Sequence, residues 1–236
     1  MYVKVLYDHK AKPGLLAGHG FACLVDQKVL FDTGGDLNGL VENMDRMMVS
    51  AKDIESVVIS HDHWDHTEGL WELLRRKNAL KVYAGSSFSD TFKTCVKESG
   101  GAIVPVDHTM KVAKKIFVTR EFTFEYKDKQ MAEHALIIKG EKGVSVITGC
   151  AHPGIVNMLE AIKKELKIKK FYMVFGGYHL EGKDRDELRK IIADFVRIGV
   201  EKVGPTHCAG EKVRRMFKSR YQNNFVPVKG GYVIQL

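Results

Sequence analysis

The sequence predicts an α/β sandwich, with sheets packed face to face and helices outside, spread over residues 1–236 as a single domain. Three observations carry that expectation. Strand-like apolar runs and helical apolar spacings alternate along the chain, and the strands fall into two rich halves, each followed by helices. Only five prolines, no low-complexity segment and no break in composition mark a linker. In such a fold the ligand site lies where strand ends meet loops.

Taken in order, "YVKVLY" and "FACLVD" read as strands, and "KVLFDTG" follows across a tight turn. "LNGLVENMDRMM" has helical apolar spacing, and "IESVVIS" is a short β-branched run, a buried strand that ends where a group of histidines begins. "TEGLWELLRRK" is then a helix, with Thr67 and Glu68 suited to its first turn. Strand "KVYAG", helix "FSDTFKTCVKES" and strand "AIVPV" come next. "KIFVTREFTFEY" and "ALIIKGEKGVSVIT" read as antiparallel strands, the latter with a turn at Gly140 to Gly143. "IVNMLEAIKKEL" is helical and "FYMVFGG" a strand; "DRDELRKIIADFVRIG" is an amphipathic helix that Gly199 stops. "KVGPTHC", a helix over 211–220 and a last strand "GGYVIQL" complete the chain.

Composition narrows the function. Hydrophobic content of 44% and charged content of 28% are those of an ordinary globular protein, and no apolar run approaches the roughly 18 residues of a membrane span. "MYVKVLYDHK" lacks a signal-peptide layout, so a cytoplasmic location is expected. The net charge of +8 suits an anionic partner, although "KKELKIKK" and "EKVRRMFKSR" also read as solvated helix faces. The four cysteines form no C-x-x-C pair; Cys23 and Cys95 read as free thiols, whereas Cys150 and Cys208 lie close to histidines.

The chemistry sits in "SHDHWDH", an H-x-H-x-D-H motif of His61, His63, Asp65 and His66. On an extended loop His61 and His63 face the same way and can reach one metal, while Asp65 and His66 lie past a bend and can face a second. Imidazole with carboxylate suits zinc, iron or manganese and argues against calcium or magnesium. Four ligands do not close two sites, so further ligands are required downstream. His152 in "TGCAHPG", His179 in "GGYHL" and His207 in "PTHCAG" supply them, each after a strand at a Gly- or Pro-marked turn. A single histidine is more often a core or surface residue; three at equivalent strand ends, beside this motif, reverse the odds. His9, His19, His108 and His134 lack that combination and are expected to be structural, with the Gly-flanked His19 the nearest to a cleft-lining position.

On these residues the sequence resembles the metallo-β-lactamase superfamily. H-x-H-x-D-H after an apolar strand, "FDTG" ahead of it and a late strand-end histidine are that family's shared layout. More narrowly, "TGCAHPGIVNML", "GGYHL" and "PTHCAG" are similar to the branch related to dihydropterin–ribofuranosylaminobenzene phosphate synthase, which includes many predicted metal-dependent hydrolases. The resemblance implies a four-layer αββα sandwich and two divalent metal ions, zinc foremost, with iron or manganese as alternatives. It makes Asp32 a support for the metal loop through hydrogen bonds. It assigns His61, His63 and His152 to one metal and Asp65, His66 and His207 to the other. The family's bridging "TGD" aspartate is replaced by "TGC", so Cys150 stands in that position, either as a thiolate ligand or as a buried thiol.

The expected function is a metal-dependent hydrolase, in which a metal-activated hydroxide attacks an anionic, phosphorylated small molecule. Asp65 and His179 are the candidate catalytic residues, His179 as a substrate contact or as the acid that protonates the leaving group. The alternatives are a condensing enzyme like the synthase, a ribonuclease, a diiron redox protein and a non-catalytic metal-binding module. No inserted arm or Arg–aromatic interleaving favours nucleic acid, and no membrane partner is implied. A homo-oligomer is compatible with the sequence.

Overall fold

The computed structural model describes residues 1–236, and alternation along its strands sorts apolar side chains into three layers. The first half runs β1 (Tyr2–Tyr7), β2 (Ala22–Val25), β3 (Val29–Phe31), α1 (Gly39–Arg46), β4 (Ser56–Val58), α2 (Trp64–Arg76), β5 (Lys81–Gly85), α3 (Asp90–Glu98) and β6 (Ala102–Val106). The second runs β7 (Met110–Ala113), β8 (Ile116–Val118), β9 (Phe122–Tyr126), β10 (Lys129–Glu133), β11 (Ala135–Gly140), β12 (Gly143–Thr148) and α4 (Ile155–Leu166). It continues through β13 (Phe171–Gly177), α5 (Arg185–Ile198), β14 (Val200–Thr206), α6 (Glu211–Tyr221) and β15 (Val233–Gln235).

One sheet has the order β15-β1-β2-β3-β4-β5-β6 and the other β14-β13-β12-β11-β8-β7, while β9 and β10 form a separate hairpin. Val3, Val25, Phe31 and Val58 of the first sheet meet Leu136, Ile138, Ile147 and Phe175 of the second between the sheets. Their alternate neighbours Leu24, Leu30 and Val57 pack under α1 to α3, and Ala135, Ile137, Val146 and Val174 pack under α4 to α6. This is the period-two pattern of sheets buried on both faces, and it gives four layers in the order helix, sheet, sheet, helix. No helix is long and apolar enough to cross a membrane.

Local chemistry sets the element ends. Asp184 caps α5 by accepting from Asp186 and Glu187 N–H, with Glu187 reaching back to the Asp184 N–H as a capping box. Gly199 ends α5 in the left-handed region (φ 89°), as expected of that glycine.

Three expectations need correction. α2 starts at Trp64, so Asp65 and His66 lie in its first turn and not on a loop ahead of it. "KIFVTREFTFEY" is two strands, because Thr119 turns the chain: its hydroxyl accepts from Ala135 N–H, and its carbonyl bonds His134 Nδ1. The segments 110–113 and 129–133 are strands that the apolar pattern did not mark, since their burial is mixed.

Candidate metal centre

The candidate residues gather because strand ends from both sheets face one cleft. β3 and β4 are parallel neighbours, as are β12, β13 and β14, in register Thr148↔Gly176 and Gly177↔Thr206. Asp32 therefore lies beside the loop after β4, and Cys150, His179 and His207 emerge side by side from three adjacent strands. Two glycines permit the close approach. A Cβ at Gly149 would lie 2.0 Å from Ser60 Oγ, and one at Gly177 would lie 2.1 Å from Gly149 O. Asp32, Ala151, His179 and His207 all have positive φ although none is glycine, a strain that proteins concentrate at functional sites.

The first group is Asp65, His66, Cys150 and His207, all buried. His66 Nε2 and His207 Nε2 are 3.2 Å apart, and Cys150 Sγ lies 3.3 Å from the former and 3.2 Å from the latter. Asp65 Oδ2 is 3.3 Å from His207 Nε2 and 3.5 Å from His66 Nε2. Tetrahedral coordination with bonds of about 2.0–2.3 Å requires ligand separations of roughly 3.3–3.8 Å. Lone pairs converging this closely in a buried place need a proton or a cation among them.

The second group is the ring trio of His61, His63 and His152, with centroids 4.6, 4.7 and 4.9 Å apart. His61 Nε2 and His63 Nε2 are buried and have no hydrogen-bond partner. Burial, then the neighbouring histidines, holds His61 well below its ordinary pKa, and burial followed by His152 lowers His63 to about 4. Both rings are thus neutral near pH 7, with lone pairs open. Cys150 also lies within 4.8 Å of the His61 and His152 donor atoms, so it stands between the two groups. The residues present therefore fit divalent-metal binding, by donor chemistry and by the two orphaned nitrogens, although His63 is not part of the tight His61, Cys150 and His152 donor group.

Each group is braced from behind. Asp32, fully buried, accepts from Ser60 N–H at 2.7 Å, Ser60 Oγ at 2.8 Å and the His66 Nδ1 side at 2.7 Å. Burial works to lower His66, but the charge and hydrogen bond of Asp32 and the charge of Asp65 outweigh it and raise His66 to about 9. Burial likewise works to raise Asp65, yet the hydrogen bond from His207 and the charges of His66, His207 and His19 hold it below the usual carboxylate range. Burial, then Cys208, pushes the Cys150 thiol well above its ordinary value, so its thiolate form requires a cation beside it.

Glu133, at the end of β10, was not singled out by the sequence. It is fully buried and accepts from Cys150 N–H at 2.8 Å, Ala151 N–H at 2.6 Å, His152 N–H at 2.8 Å and His152 Nδ1 at 3.0 Å. Burial alone would raise it, but the His152 and backbone hydrogen bonds win and its pKa is lowered. Nothing local marked it, because its partners lie 17–19 residues away.

Two histidines expected to be structural also face the site. His9 Nε2 is 3.1 Å from His207 Nδ1, and His19 Nε2 is 3.3 Å from Asp65 Oδ2. "YVKVLYDH" follows the same strand-end rule as the other candidates, and that signal would have found His9. His134 is buried against Thr119, and His108 is exposed beside Asp107, both away from the cleft. His179 lines the cleft with its ring 4.4 Å from His152, and its N–H donates to Cys208 Sγ.

The cleft has a volume of about 320 Å³, and Trp64 and Tyr126 flank it. A neighbouring groove of about 430 Å³ shares His63 and Tyr126 and carries Lys127 and Lys129. Tyr126 and Phe124 come from the β9–β10 hairpin, and Phe124 stacks on His152 at 4.7 Å.

Residues 27–125 match the family described as "Beta-lactamase superfamily domain". Two proteins of Methanocaldococcus jannaschii are similar over nearly the whole chain. One, named 7,8-dihydropterin-6-methyl-4-(beta-D-ribofuranosyl)-aminobenzene-5'-phosphate synthase, is 26% identical over 92% of this chain and 90% of its own. The other, uncharacterised, is 30% identical over 98% of this chain and 99% of its own. A crystal structure described as a metal-dependent hydrolase of the beta-lactamase superfamily aligns at a TM-score of 0.84, with 28% identity over 100% of this chain and 99% of that one.

Proposed function

The chain belongs to the metallo-β-lactamase superfamily, and from that premise we propose that it is a metal-dependent hydrolase of an anionic, phosphorylated small molecule. The observation that carries the reading is the convergence of Asp65, His66, Cys150 and His207 donor atoms at 3.2–3.5 Å. Beside them stand the unpartnered His61 and His63 nitrogens. His61, His63 and His152 would hold one divalent ion and Asp65, His66 and His207 a second, with Cys150 within reach of donors from both groups. Nitrogen, oxygen and one sulfur suit zinc first, then iron or manganese. When bound, the ions supply Lewis acidity and make a water acidic enough to act as a nucleophile near neutrality.

The chain's own residues do the rest. Asp32 keeps the His66 Nδ1 proton and so presents Nε2 to the cleft, and Glu133 does the same for His152. His9 orients His207 from behind. Asp65, whose carboxylate His19 also faces, sets the charge at the cleft floor. His179, exposed to the cleft and fixed by its strained backbone, reaches the leaving group and protonates it. Lys127 and Lys129 in the adjoining groove favour an anionic substrate.

A second reading, a condensing enzyme like the named relative, has one observation in its favour. The exposed Trp64 and Tyr126 give the cleft two flat apolar walls, which suit planar rings such as those in that relative's name.

The test is elemental analysis of the purified protein, followed by a screen of phosphoesters, lactones, thioesters and β-lactams, with His61→Ala as control. Bound divalent metal and a hydrolytic activity lost in His61→Ala are expected. A protein that takes up no zinc, iron or manganese, or an activity that survives His61→Ala, overturns the reading.

A further inference from the structure

The reading above leaves one nucleophilic side chain of the cleft unused. Cys208 follows His207 at the end of β14, and its Sγ lies with Cys150 Sγ and a His179 ring nitrogen in a group whose donor atoms are all within 4.8 Å of one another. We propose that Cys150, His179 and Cys208 form a thiol-lined metal site on the inner wall of the cleft, one that takes a thiophilic divalent cation.

Three independent features point to it. The first is topological: the three residues leave β12, β13 and β14, adjacent parallel strands whose register puts their ends level. The second is a cleared space. A Cβ at Gly177 would lie 2.8 Å from Cys208 Sγ and 3.0 Å from Cys150 Cα, so only glycine there lets the two thiols share one wall. The third is a preset acceptor: the His179 N–H donates to Cys208 Sγ at 3.3 Å, as backbone amides do to metal-bound sulfur. His179 reaches this position with a φ of 47°, and His207, beside Cys208, has a φ of 50°. Both are uncommon for non-glycine residues and hold neighbouring side chains toward one point.

The donor set differs from that of the histidine groups. Two sulfurs and one imidazole, with no carboxylate among them, select zinc, cobalt or ferrous iron over manganese and magnesium. His179 and Cys208 both line the cleft, so a cation held there would be accessible to a molecule in it. The structural alternative is that Cys208 is a packing thiol whose only role is its 3.7 Å contact to Cys150 O.

The proposal goes beyond the hydrolase reading and shares two residues with it, Cys150 and His179, whose ring would bind the cation in place of protonating a leaving group. Cys208 belongs to this site alone, so the two can fail separately. The experiment titrates the reduced, metal-free full-length protein with Co²⁺, reading the thiolate-to-cobalt charge-transfer absorption and the metal equivalents bound. Wild type, Cys208→Ser and His61→Ala are compared. Cys208→Ser should lose about half of the charge-transfer band and bind one equivalent less, because one of the two thiolates is gone. His61→Ala should keep the band and lose the histidine-bound metal. A Cys208→Ser protein with the wild-type band and stoichiometry overturns the proposal, whatever His61→Ala does. A His61→Ala protein with unchanged metal content, beside a depleted Cys208→Ser, overturns the histidine reading and leaves this one. Should Cys208→Ser fold poorly, alkylation of wild type decides: Zn²⁺ should protect Cys208 from iodoacetamide, and equal labelling with and without Zn²⁺ overturns the site.

Discussion

Two segments meet at the cleft, 60–66, which runs from a loop into the first turn of α2, and the loop 149–152, and each is braced by one buried carboxylate that does a different job. Asp32 bonds one backbone N–H, one hydroxyl and one imidazole, so it chiefly fixes the His66 ring. Glu133 bonds three consecutive backbone N–H groups as well as the His152 ring, so it fixes the path of the chain that carries Cys150. Three amides wrapped on one carboxylate make an anion nest, with Ala151 at a φ of 63° turning the chain around it. The comparison teaches that donor count decides what a buried carboxylate becomes. Glu133, with four donors, has a lowered pKa, whereas burial wins at Asp32 and leaves its pKa raised despite three.

The sharpest way to break this contrast is Glu133→Gln. The amide offers one acceptor oxygen where the carboxylate offers two, and its NH₂ meets N–H groups. Breaking a buried charge network of this kind costs about 3–5 kcal/mol. Denaturant unfolding should therefore show a large loss of stability, accompanied by loss of metal from both groups. A Glu133→Gln protein as stable as wild type would mean that the nest does not hold the loop.

Asp8 extends the comparison to a carboxylate with only two hydrogen bonds. It accepts from His9 N–H and from the Thr206 hydroxyl, and burial raises its pKa to about 6. The folded value lies above the unfolded one, so the group favours the native state fully below about pH 4 and loses that contribution as pH rises through about 6. Asp8→Asn should thus stabilise the protein at pH 7.5 by up to about 3 kcal/mol, and the gain should shrink toward zero near pH 4. Chemical denaturation at the two pH values measures it. A difference that does not change with pH would show that the fold does not raise the Asp8 pKa.

Asp32→Asn tests the other half of the pairing. The amide keeps the size and some hydrogen bonds, but it removes the charge that orients the His66 Nδ1 proton. Losing such a partner typically weakens metal binding about 10–100-fold. A chelator competition with Zn²⁺ should show that drop, with less effect on folding than Glu133→Gln has. Should the order reverse, with Asp32→Asn unfolding the chain and Glu133→Gln sparing it, the assignment of ring to one carboxylate and backbone to the other is wrong.

These two braces also mark where the sequence was legible. Asp32 directly follows β3 in "FDTG", a local motif that the family resemblance brought into view, and the parallel pairing of β3 with β4 sets it beside the histidine segment. The sandwich, the strand-end placement of Cys150, His179 and His207, and most helices follow from apolar periodicity, which burial on both sheet faces makes strong. Glu133 comes from a hairpin whose exposed and buried residues do not alternate cleanly, so neither periodicity nor spacing marked it. His9 and His19 were set aside for want of a motif, although His9 sits at a strand end like the rest. The start of α2 lies earlier than the apolar spacing predicts for a physical reason: Asp65 suits the first turn of a helix, but a dense histidine motif reads as a candidate ligand loop and masks that helix-start signal.

The smallest expected effect concerns the walls of the cleft, which differ as the braces do. Trp64 stands on the first turn of α2, a helix packed into the core, and stacks on His19 at 5.5 Å. Tyr126 stands on the hairpin, with its ring 4.7 Å from His63 and 38% of its surface exposed. Stacking a flat substrate on either ring contributes about 0.5–1.5 kcal/mol, so truncation to alanine should raise KM roughly 3–10-fold and leave kcat nearly unchanged. The halves should then separate on metal content. Trp64→Ala perturbs a helix turn that carries two of the proposed ligands, Asp65 and His66, and should lower metal occupancy slightly, while Tyr126→Ala should leave it intact. Steady-state kinetics on a substrate returned by the screen, with metal analysis of both variants, make the measurement. A fall in kcat for Tyr126→Ala at full metal content would move the hairpin from wall to catalytic machinery, and the second loop would then do more than hold Cys150 in place.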